Sequence, residues 1–451
     1  MEFKRDIYQD LMAWKANSQR KPLLLMGARQ IGKTTVLKSF GYNEYSTLIY
    51  INLEREKDMH SLFEGNKNPQ FLLDSISLFS GHEIYPERTL IVLDEIQECR
   101  DALTSLKYFN EERPDIQLIG AGSLLGLTVA NSANFPVGKV EFLDMYPLTF
   151  SEYLASRDKK LYKAYHHYLE QETIASIPEV FFNPLMALFK EYILFGGMPE
   201  VAVSFLANKD MSKAQEIQNN IIRAYEMDFV KHADKNTSVK IKQAWNVIPA
   251  QLAAENRKFI YGMIRKGARA SDYENAILWL CEAGLTYQVK RLKKIGLPLK
   301  AYEDFSAFKL YTFETGILIR LAKLDPRIIA RGNSLFTEFK GALAESFVCT
   351  ALNKTFRNDL YYWNSKGVAE VDFILNIAKY VIPVEVKSGT ITKSKSLAVY
   401  KDKYDPAIRV RISELNLKQT GDVLNIPLFY AEHVKELIEK GLNLKSFGTF
   451  K

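Results

Sequence analysis

Cysteine is scarce in this chain of 451 residues. Its copies, Cys99, Cys281 and Cys349, lie far apart and show no paired spacing. This spacing argues against a disulfide framework and against a zinc cluster. It suits a reducing compartment, and we therefore expect a cytoplasmic protein.

Long apolar runs are also missing. No stretch approaches the roughly 18 residues that a membrane-spanning helix requires, so we expect no membrane partner. The N-terminal stretch is charged and amphipathic, which is not the pattern of a signal peptide. The net charge of +7 is a mild basic excess. It permits an acidic partner such as DNA but does not require one.

The length exceeds that of one ordinary core and favours two to four domains. The hydrophobic patterns divide the chain into four zones. In the first, unpatterned apolar strands alternate with helices, which predicts an α/β fold with a parallel sheet. A helical lid or linker, a basic helical zone that resembles a winged-helix domain, and a second α/β zone follow. The predicted borders are 1–150, 151–230, 231–330 and 331–451.

A phosphate-binding motif follows the first predicted strand. The segment "GARQIGKT" fits the pattern G-x-x-x-x-G-K-[ST], and a helical pattern comes directly after it. The glycines let backbone N–H groups turn toward phosphates, and the helix offers its positive end. We expect ATP here, with Lys33 on the β and γ phosphates and the Thr34 hydroxyl on Mg²⁺. The predicted nucleotide-binding residues are Gly27, Ala28, Arg29, Gln30, Ile31, Gly32, Lys33, Thr34 and Thr35.

An acidic pair supports the same interpretation. The strand "TLIVLDEIQ" ends in Asp94 and Glu95. We expect this strand to neighbour the strand that carries the phosphate loop, so that both carboxylates lie beside the phosphates. Asp94 would then hold Mg²⁺, and Glu95 could polarise the attacking water. The alternative is a pair of solvated carboxylates at a strand end.

The next predicted strand, "DIQLIGAGS", delivers Ser123 to the same edge of the sheet. This hydroxyl could sense the γ-phosphate, or it could cap the following helix. A nucleotide kinase would share the phosphate loop, but a glutamate directly after the strand-end aspartate favours hydrolysis. The sequence therefore predicts ATP binding and hydrolysis.

A second acidic cluster is predicted near the C-terminal end. Strand alternation places Glu370 and Asp372 on one face, and Glu385 and Lys387 also share a face. A short hairpin would bring Asp372 against that pair. Converging carboxylates suit a divalent cation, and a lysine beside it can orient a water that attacks a phosphodiester. This is the D…(D/E)-x-K arrangement of restriction-endonuclease-like enzymes.

A helix upstream could complete this site. In "FKGALAESFVCTALN", Leu343, Phe347 and Ala351 form one apolar stripe, while Glu345 shares another side with small and apolar residues. Glu345 is therefore poorly explained as a solvated charge and is a candidate third metal ligand. The alternative is that the fold is preserved while its charges are structural, or bind nucleic acid without cutting it.

Taken together, these motifs resemble those of bacterial and archaeal AAA-type P-loop ATPases with a restriction-endonuclease-like C-terminal domain of unknown function. The phrases that carry the resemblance are "GARQIGKT", "IVLDEIQ", "GAGSLL", "YPLTFSEYL", "GGMPEV", "KLYTFETGIL", "FKGALAESFV" and "EVDFI…PVEVKSG". The resemblance implies a P-loop ATPase, then a helical and winged-helix-like part, then a nuclease-like domain. It supports eight of the residues named above: Lys33 and Thr34 for ATP, Asp94 and Glu95 for hydrolysis, and Glu345, Asp372, Glu385 and Lys387 for the second site. The sequence departs from the family at Lys139, where an arginine is expected, and at Glu314, where an aspartate is usual.

Two functions remain open from the sequence. In the first, ATP turnover, in which Glu95 and Ser123 are catalytic, controls a Mg²⁺-dependent nuclease in which Lys387 is catalytic. In the second, the chain is a nucleotide switch whose C-terminal domain binds DNA or a protein without cleavage. A small-molecule phosphotransferase would leave the basic zone and the second acidic cluster unexplained. DNA and a second copy of the chain are candidate partners.

Overall fold

The computed structural model describes residues 3–123, 136, 138–254, 257–325, 337–365, 369–390 and 394–444, with only the backbone at 337 and 338. The chain forms two compact units. The N-terminal unit comprises Glu2–Leu148 and Glu282–Gly284, and the C-terminal unit comprises Thr149–Cys281 and Leu285–Lys451. The finer division into four domains stays a prediction.

The N-terminal unit is an α/β structure around a five-stranded sheet. The strand order is β2-β3-β4-β1-β5, and every pair is parallel. Continuous apolar runs form β3 and β4 because helices cover both faces of such a sheet. The elements are α1 (Ile7–Ala16), β1 (Leu23–Met26), α2 (Lys33–Glu44), β2 (Thr47–Asn52), α3 (His60–Gly65), α4 (Pro69–Ser80), β3 (Thr89–Asp94), α5 (Arg100–Glu112), β4 (Gln117–Gly122) and β5 (Glu141–Asp144).

All strands predicted for this unit are present, but one observed strand was not predicted. The side chains of β3 and β4 are buried throughout, which is why their sequences are so apolar. Strand β5 lies at the sheet edge and is mostly half-exposed. Its four residues, "EFLD", therefore carry no continuous apolar signal.

The C-terminal unit combines a helical part with a second sheet. Among the residues that the structure describes, no helix is long and apolar enough to cross a membrane. From Thr149 onward the elements are α6 (Phe150–Arg157), α7 (Lys159–Leu169), α8 (Glu179–Phe195), α9 (Pro199–Asn208), α10 (Met211–His232), α11 (Lys235–Ala253), α12 (Ala270–Glu282), β6 (Thr286–Leu292), β7 (Glu303–Thr312), α13 (Thr315–Leu321), α14 (Thr337–Phe356), β8 (Tyr361–Asn364), β9 (Glu370–Ile377), β10 (Tyr380–Val386), α15 (Lys395–Tyr404), β11 (Arg409–Ser413), β12 (Lys418–Thr420), β13 (Val423–Pro427) and α16 (Val434–Gly441).

The second sheet has eight strands in the order β12-β13-β11-β10-β9-β8-β6-β7. The predicted hairpin of β9 and β10 is confirmed, with Phe373 opposite Val384. Strands β6 and β7, which the sequence assigned to the basic zone, pair with each other and join this sheet through β8. The sheet thus runs across the predicted border at 330.

Aromatic packing joins the helices of this unit to its C-terminal part. Phe150 on α6 contacts Phe189 and Tyr192 on α8, and it also packs against Phe429. Phe189 in turn contacts Phe347 on α14, at a centroid distance of 4.9 Å. Edge-to-face pairs of buried aromatic rings add to the stabilisation from burial alone. The apolar stripe predicted on α14 faces this core.

The motifs "GGMPEV" and "KLYTFETGIL" meet in one buried contact. The Glu314 carboxylate accepts hydrogen bonds from the backbone N–H groups of Gly197, Gly316 and Ile317, each at 2.8 Å. It therefore caps α13 and fixes the turn between α8 and α9. Gly196 has a φ of 78°, and a Cβ there would overlap the Glu314 carboxylate. The two motifs therefore have a structural role in this chain, since together they build one cap.

Replacing Glu314 with alanine should destabilise the C-terminal unit by about 3 kcal/mol, because three buried N–H groups would lose their acceptor. Urea unfolding followed by circular dichroism measures this change. Glu314→Asp keeps the charge and the acceptor oxygens and should cost much less. Equal stability of the alanine variant and the wild type would contradict this account of the cap.

Candidate nucleotide site and a second carboxylate cluster

The carboxyl ends of three parallel strands lie level at one edge of the first sheet. Asp94 on β3 pairs with Ala121 on β4, and Met26 on β1 pairs with Gly122 on β4. Strand β4 lies between β1 and β3, so the phosphate loop and the acidic pair are two strands apart and not on neighbouring strands as expected. The residues that leave the sheet here are Gly27, Glu95 and Ser123.

The loop between β1 and α2 contains two glycines in positions where other residues are disfavoured. Gly32 precedes α2 with a φ of 97°, which favours glycine. At Gly27, a Cβ would lie 2.5 Å from the Met145 carbonyl oxygen, so a side chain has no room. Of the other predicted loop residues, Ala28, Ile31 and Lys33 are buried, Arg29 and Thr34 are half-buried, and Gln30 and Thr35 are exposed.

Lys33 is buried at the start of α2. Its Nζ donates to the carbonyl oxygens of Gly27 and Ala28, at 2.8 and 2.9 Å. Burial lowers the pKa of Lys33 to about 8, and Glu95 and Asp94 oppose this shift by attracting the charge. Carbonyl groups are neutral partners for a buried ammonium group. A phosphate would be a stronger one, and the loop is shaped to present it.

Asp94 is held by groups from two other elements. Its Oδ2 accepts from Thr34 Oγ1 on α2 at 2.8 Å and from the Tyr50 hydroxyl on β2 at 2.5 Å. Burial and the hydrogen bond to Asp94 raise the pKa of Tyr50 to about 12, so Tyr50 stays a donor at neutral pH. The Asp94 carboxylate therefore has a fixed orientation beside the Thr34 hydroxyl.

Glu95 is the first residue after β3 and has a left-handed backbone, with a φ of 52°. This conformation is unusual for a residue other than glycine, and it turns the chain sharply at the edge of the sheet. The Gln97 side chain donates to Glu95 Oε2 at 2.5 Å. Ser123 is buried at the end of β4, on the same edge.

Three neighbours of this site were missed by the sequence prediction: Arg5, Tyr50 and Gln97. Arg5 is buried and donates to the carbonyl oxygens of Ile31 and Tyr146, at 2.8 and 2.6 Å. It thereby ties the phosphate loop to the chain after β5. An arginine near the N-terminal end gives no sequence signal for this role, because the contact spans 141 residues. Gln97 alone lay within a quoted motif.

The residues present fit Mg²⁺ and a nucleoside triphosphate. Thr34 and Asp94 offer oxygen donors of the kind that Mg²⁺ prefers, and they already lie 2.8 Å apart. Lys33 supplies a buried positive charge next to a glycine loop at a helix N-terminus. In the N-terminal unit, Thr34 and Asp94 could therefore hold Mg²⁺, and Lys33 could bind the phosphates of the nucleotide.

The second predicted cluster contains a cation that the sequence did not indicate. Lys309 on β7 is fully buried, and its Nζ lies 2.6 Å from Glu370 Oε1. The same Nζ is 3.9 Å from Glu345 Oε2 and 3.9 Å from Asp372 Oδ1. Glu370 and Asp372 do share a face, as expected. A lysine from another strand stands among the predicted ligands.

Glu385 also has protein partners. It lies 2.8 Å from Lys387 Nζ and accepts a hydrogen bond from Ser394. Burial raises the pKa of Glu385 although Lys387 opposes the shift. Asp372 accepts from the Val386 backbone N–H at 2.8 Å.

Within the described part of the chain, no group of three or more His, Cys, Asp and Glu side chains could hold a metal ion. The expected ligand set of Glu345, Asp372 and Glu385 therefore does not come together as a metal site. Basic side chains lie at ion-pair distance from all three carboxylates: Lys309 Nζ is 3.9 Å from Glu345 and from Asp372, and Lys387 Nζ is 2.8 Å from Glu385. Lys139, the departure from the resembled family, forms an exposed ion pair with Glu111 at 2.9 Å.

The fold and site of the N-terminal unit define an AAA-type P-loop ATPase domain. A family model described as an AAA domain matches residues 19–154. Two further models, described as domains of unknown function DUF8612 and DUF4143, match residues 186–327 and 340–429. The restriction-endonuclease-like nature of the last zone stays a prediction.

Solved structures show distant similarity to the chain. A Walker-type ATPase of Pyrococcus abyssi is 15% identical to this chain, with a TM-score of 0.42. The match covers 71% of this chain and 96% of the Pyrococcus protein. The Aeropyrum pernix ORC1 protein in complex with DNA is 15% identical, with a TM-score of 0.29, and the match covers 74% of this chain and 95% of ORC1. The Thermotoga maritima RuvB branch migration motor is 14% identical, with a TM-score of 0.29, and the match covers 72% of this chain and 96% of RuvB. No curated protein matches the chain. Similarity at this level carries no conclusion about activity.

The lowered pKa of Lys33 predicts that ATP affinity depends on pH. Below about pH 8 the lysine is charged before ATP arrives, and affinity is at its maximum. Above that pH, binding must take up a proton, and Kd should rise by up to about tenfold per pH unit. Calorimetry at pH 7.5 and 9, in two buffers of different ionisation enthalpy, measures both affinity and proton uptake.

Lys33→Arg is the matched control, since a guanidinium stays charged over this range. If this variant binds ATP, its affinity should not change between the two pH values. Wild-type binding without proton uptake at pH 9 would contradict the assignment to Lys33.

Proposed function

We propose that the protein is a Mg²⁺-dependent ATP hydrolase whose nucleotide state regulates the C-terminal unit. The observation that carries the proposal is the joint placement of Lys33, Thr34, Asp94 and Glu95 at one sheet edge. Thr34 and Asp94 share a hydrogen bond of 2.8 Å although 60 residues separate them in the sequence. This arrangement supports the assignment of a phosphate cradle, a metal donor set and a base to one site.

Each side chain has a separate task in this proposal. Lys33 would leave the loop carbonyls and bind the β and γ phosphates. Thr34 and Asp94 would hold Mg²⁺, which when bound compensates the charge of the phosphates. Glu95 would accept a proton from the attacking water, with its carboxylate held by Gln97. Ser123 would donate to the γ-phosphate from the end of β4.

Binding and hydrolysis should separate in two variants. Lys33→Ala removes the buried charge that faces the phosphates and should abolish nucleotide binding. Glu95→Gln keeps the shape of the site and should bind ATP normally while its turnover falls by about 10²-fold or more. Fluorescent-nucleotide binding and phosphate release, measured on the full chain, give the two readouts.

A structural control is Glu112→Gln, which changes an exposed acidic side chain at the end of α5 and should leave both readouts unchanged. Undiminished turnover in Lys33→Ala would refute the proposed site. Equal loss of binding and turnover in Glu95→Gln would assign that residue a role other than the base.

The contacts of the C-terminal unit favour a regulatory role over a role as a nuclease. Each carboxylate that was expected to bind metal already has a basic partner, either Lys309 or Lys387. This favours the nucleotide switch over the ATP-controlled nuclease. The switch requires ATP hydrolysis alone, whereas the ATP-controlled nuclease requires a second reaction in the C-terminal unit.

The nuclease remains the second candidate because Glu385 and Lys387 keep the E-x-K spacing next to Asp372. Incubation of the full chain with DNA or RNA, Mg²⁺ and ATP tests it. Cleavage that stops in Asp372→Asn would support this candidate and contradict the switch.

Basic residues of the C-terminal unit are the best contacts for a DNA partner. Helix α12, in the zone predicted to resemble a winged-helix domain, has the sequence "ASDYENAILWLCE" and contains neither lysine nor arginine. Six exposed basic side chains lie elsewhere in the unit, before α12 and in the turn between β6 and β7. They are Arg265, Lys266, Arg269, Lys293, Lys294 and Lys300. Such a distribution suits phosphate contacts without base recognition.

Lys293→Glu with Lys294→Glu should weaken DNA binding and lower the slope of log Kd against log salt by about 2. Fluorescence anisotropy with duplex DNA over a range of salt concentrations measures the slope. Lys418→Glu with Lys435→Glu, two exposed lysines elsewhere in the unit, makes the same change in net charge and is the control. If both pairs of substitutions weaken DNA binding equally, the DNA is held only by the overall positive charge of the unit and not by Lys293 and Lys294.

A further inference from the structure

Lys309 lies at the centre of the second carboxylate cluster and has no exposed side-chain surface. It extends from β7 past the ring of Tyr362, with Nζ 5.0 Å from the ring centroid. Its ion pair with Glu370 is short, and Glu345 and Asp372 lie 3.9 Å away. A lysine in such a place is held by its carboxylates, because an unpaired buried ammonium group is costly.

Other groups close the cluster from the remaining sides. Arg257 forms an ion pair with Glu345, and the buried Tyr311 hydroxyl donates to Glu345 Oε2 at 3.0 Å. Lys387 pairs with Glu385 on β10. Four carboxylates, those of Glu345, Glu370, Asp372 and Glu385, thus face three basic side chains at ion-pair distance.

A divalent cation does not fit among these groups. Two like charges a few ångströms apart in a buried site repel strongly, because little water screens them. Bound Mg²⁺ would share Glu345 and Asp372 with the Lys309 ammonium group, whose Nζ is 3.9 Å from each carboxylate. Mg²⁺ also needs an octahedral set of oxygens, whereas the hydrogen bonds above already use several of them.

We infer that Lys309 is the resident cation of this cluster and keeps divalent metals out of it. The ammonium group joins β7, β9 and α14 through Glu370, Asp372 and Glu345. Removing it leaves buried carboxylates without their counter-ion and creates a space in which a hydrated divalent cation can replace it. This inference goes beyond the proposed ATP site and does not depend on it.

The test uses the nucleotide-free full chain and Mn²⁺, with bound metal counted by electron paramagnetic resonance. The wild type should show no Mn²⁺ site that depends on Asp372 and Glu385, so Asp372→Asn with Glu385→Gln should not change its count. Lys309→Ala should gain about one site, and adding the two carboxylate changes should remove it. Lys379→Ala, an exposed lysine on the turn between β9 and β10, is the matched control and should gain none.

Thermal unfolding supplies a second readout. Lys309→Ala should unfold at a lower temperature than the wild type in chelator, and Mn²⁺ should restore much of the loss, since a ligand of the folded state stabilises it. In the wild type, Mn²⁺ should not raise the unfolding temperature by binding at this cluster. Wild-type Mn²⁺ binding that disappears with the two carboxylate changes would overturn the inference, even if Lys309→Ala does not fold. A folded Lys309→Ala that binds no metal would overturn it as well.

Discussion

The hydrogen bond between Thr34 and Asp94 is the contact on which the nucleotide site depends. It joins the start of α2 to the end of β3, at a distance of 2.8 Å. The contact exists because parallel strands β1, β4 and β3 are in a register that brings their carboxyl ends level. Tyr50 fixes the same carboxylate oxygen from β2. One edge of the sheet thus collects residues from four segments of the chain.

Two buried lysines show how the surroundings decide what a charge can do. Lys33 donates to neutral carbonyl oxygens at a glycine loop, and burial lowers its pKa to about 8. Lys309 is surrounded by carboxylates and already has its counter-ions. The first lysine suits ligand binding, and the second suits a closed structural centre.

The local parts of both sites could be predicted from the sequence. The phosphate loop, four of the five strands of the first sheet and the hairpin of β9 and β10 follow from short-range patterns, because glycine spacing and hydrophobic patterning determine them locally. Glu345 was correctly separated from solvated charges, since it is buried on α14.

Contacts between distant segments could not be predicted in the same way. Arg5 reaches the loop and the chain after β5 only through the tertiary fold. Lys309 enters the second cluster because β6 and β7 join the C-terminal sheet, and no local pattern indicates that pairing. The carboxylates and the lysine of the motif predicted a metal site, and no local pattern indicated that a lysine from another strand lies among them.

The most direct measurement of the central claim compares ATP hydrolysis by the full chain and by Asp94→Asn, each with and without Mg²⁺. The account predicts wild-type hydrolysis that requires Mg²⁺, and a loss of about 10²-fold or more in the variant, because the amide cannot replace the carboxylate at the metal. Hydrolysis by Asp94→Asn at the wild-type rate would contradict the account, since the edge formed by β1, β3 and β4 would then not be the site of ATP chemistry.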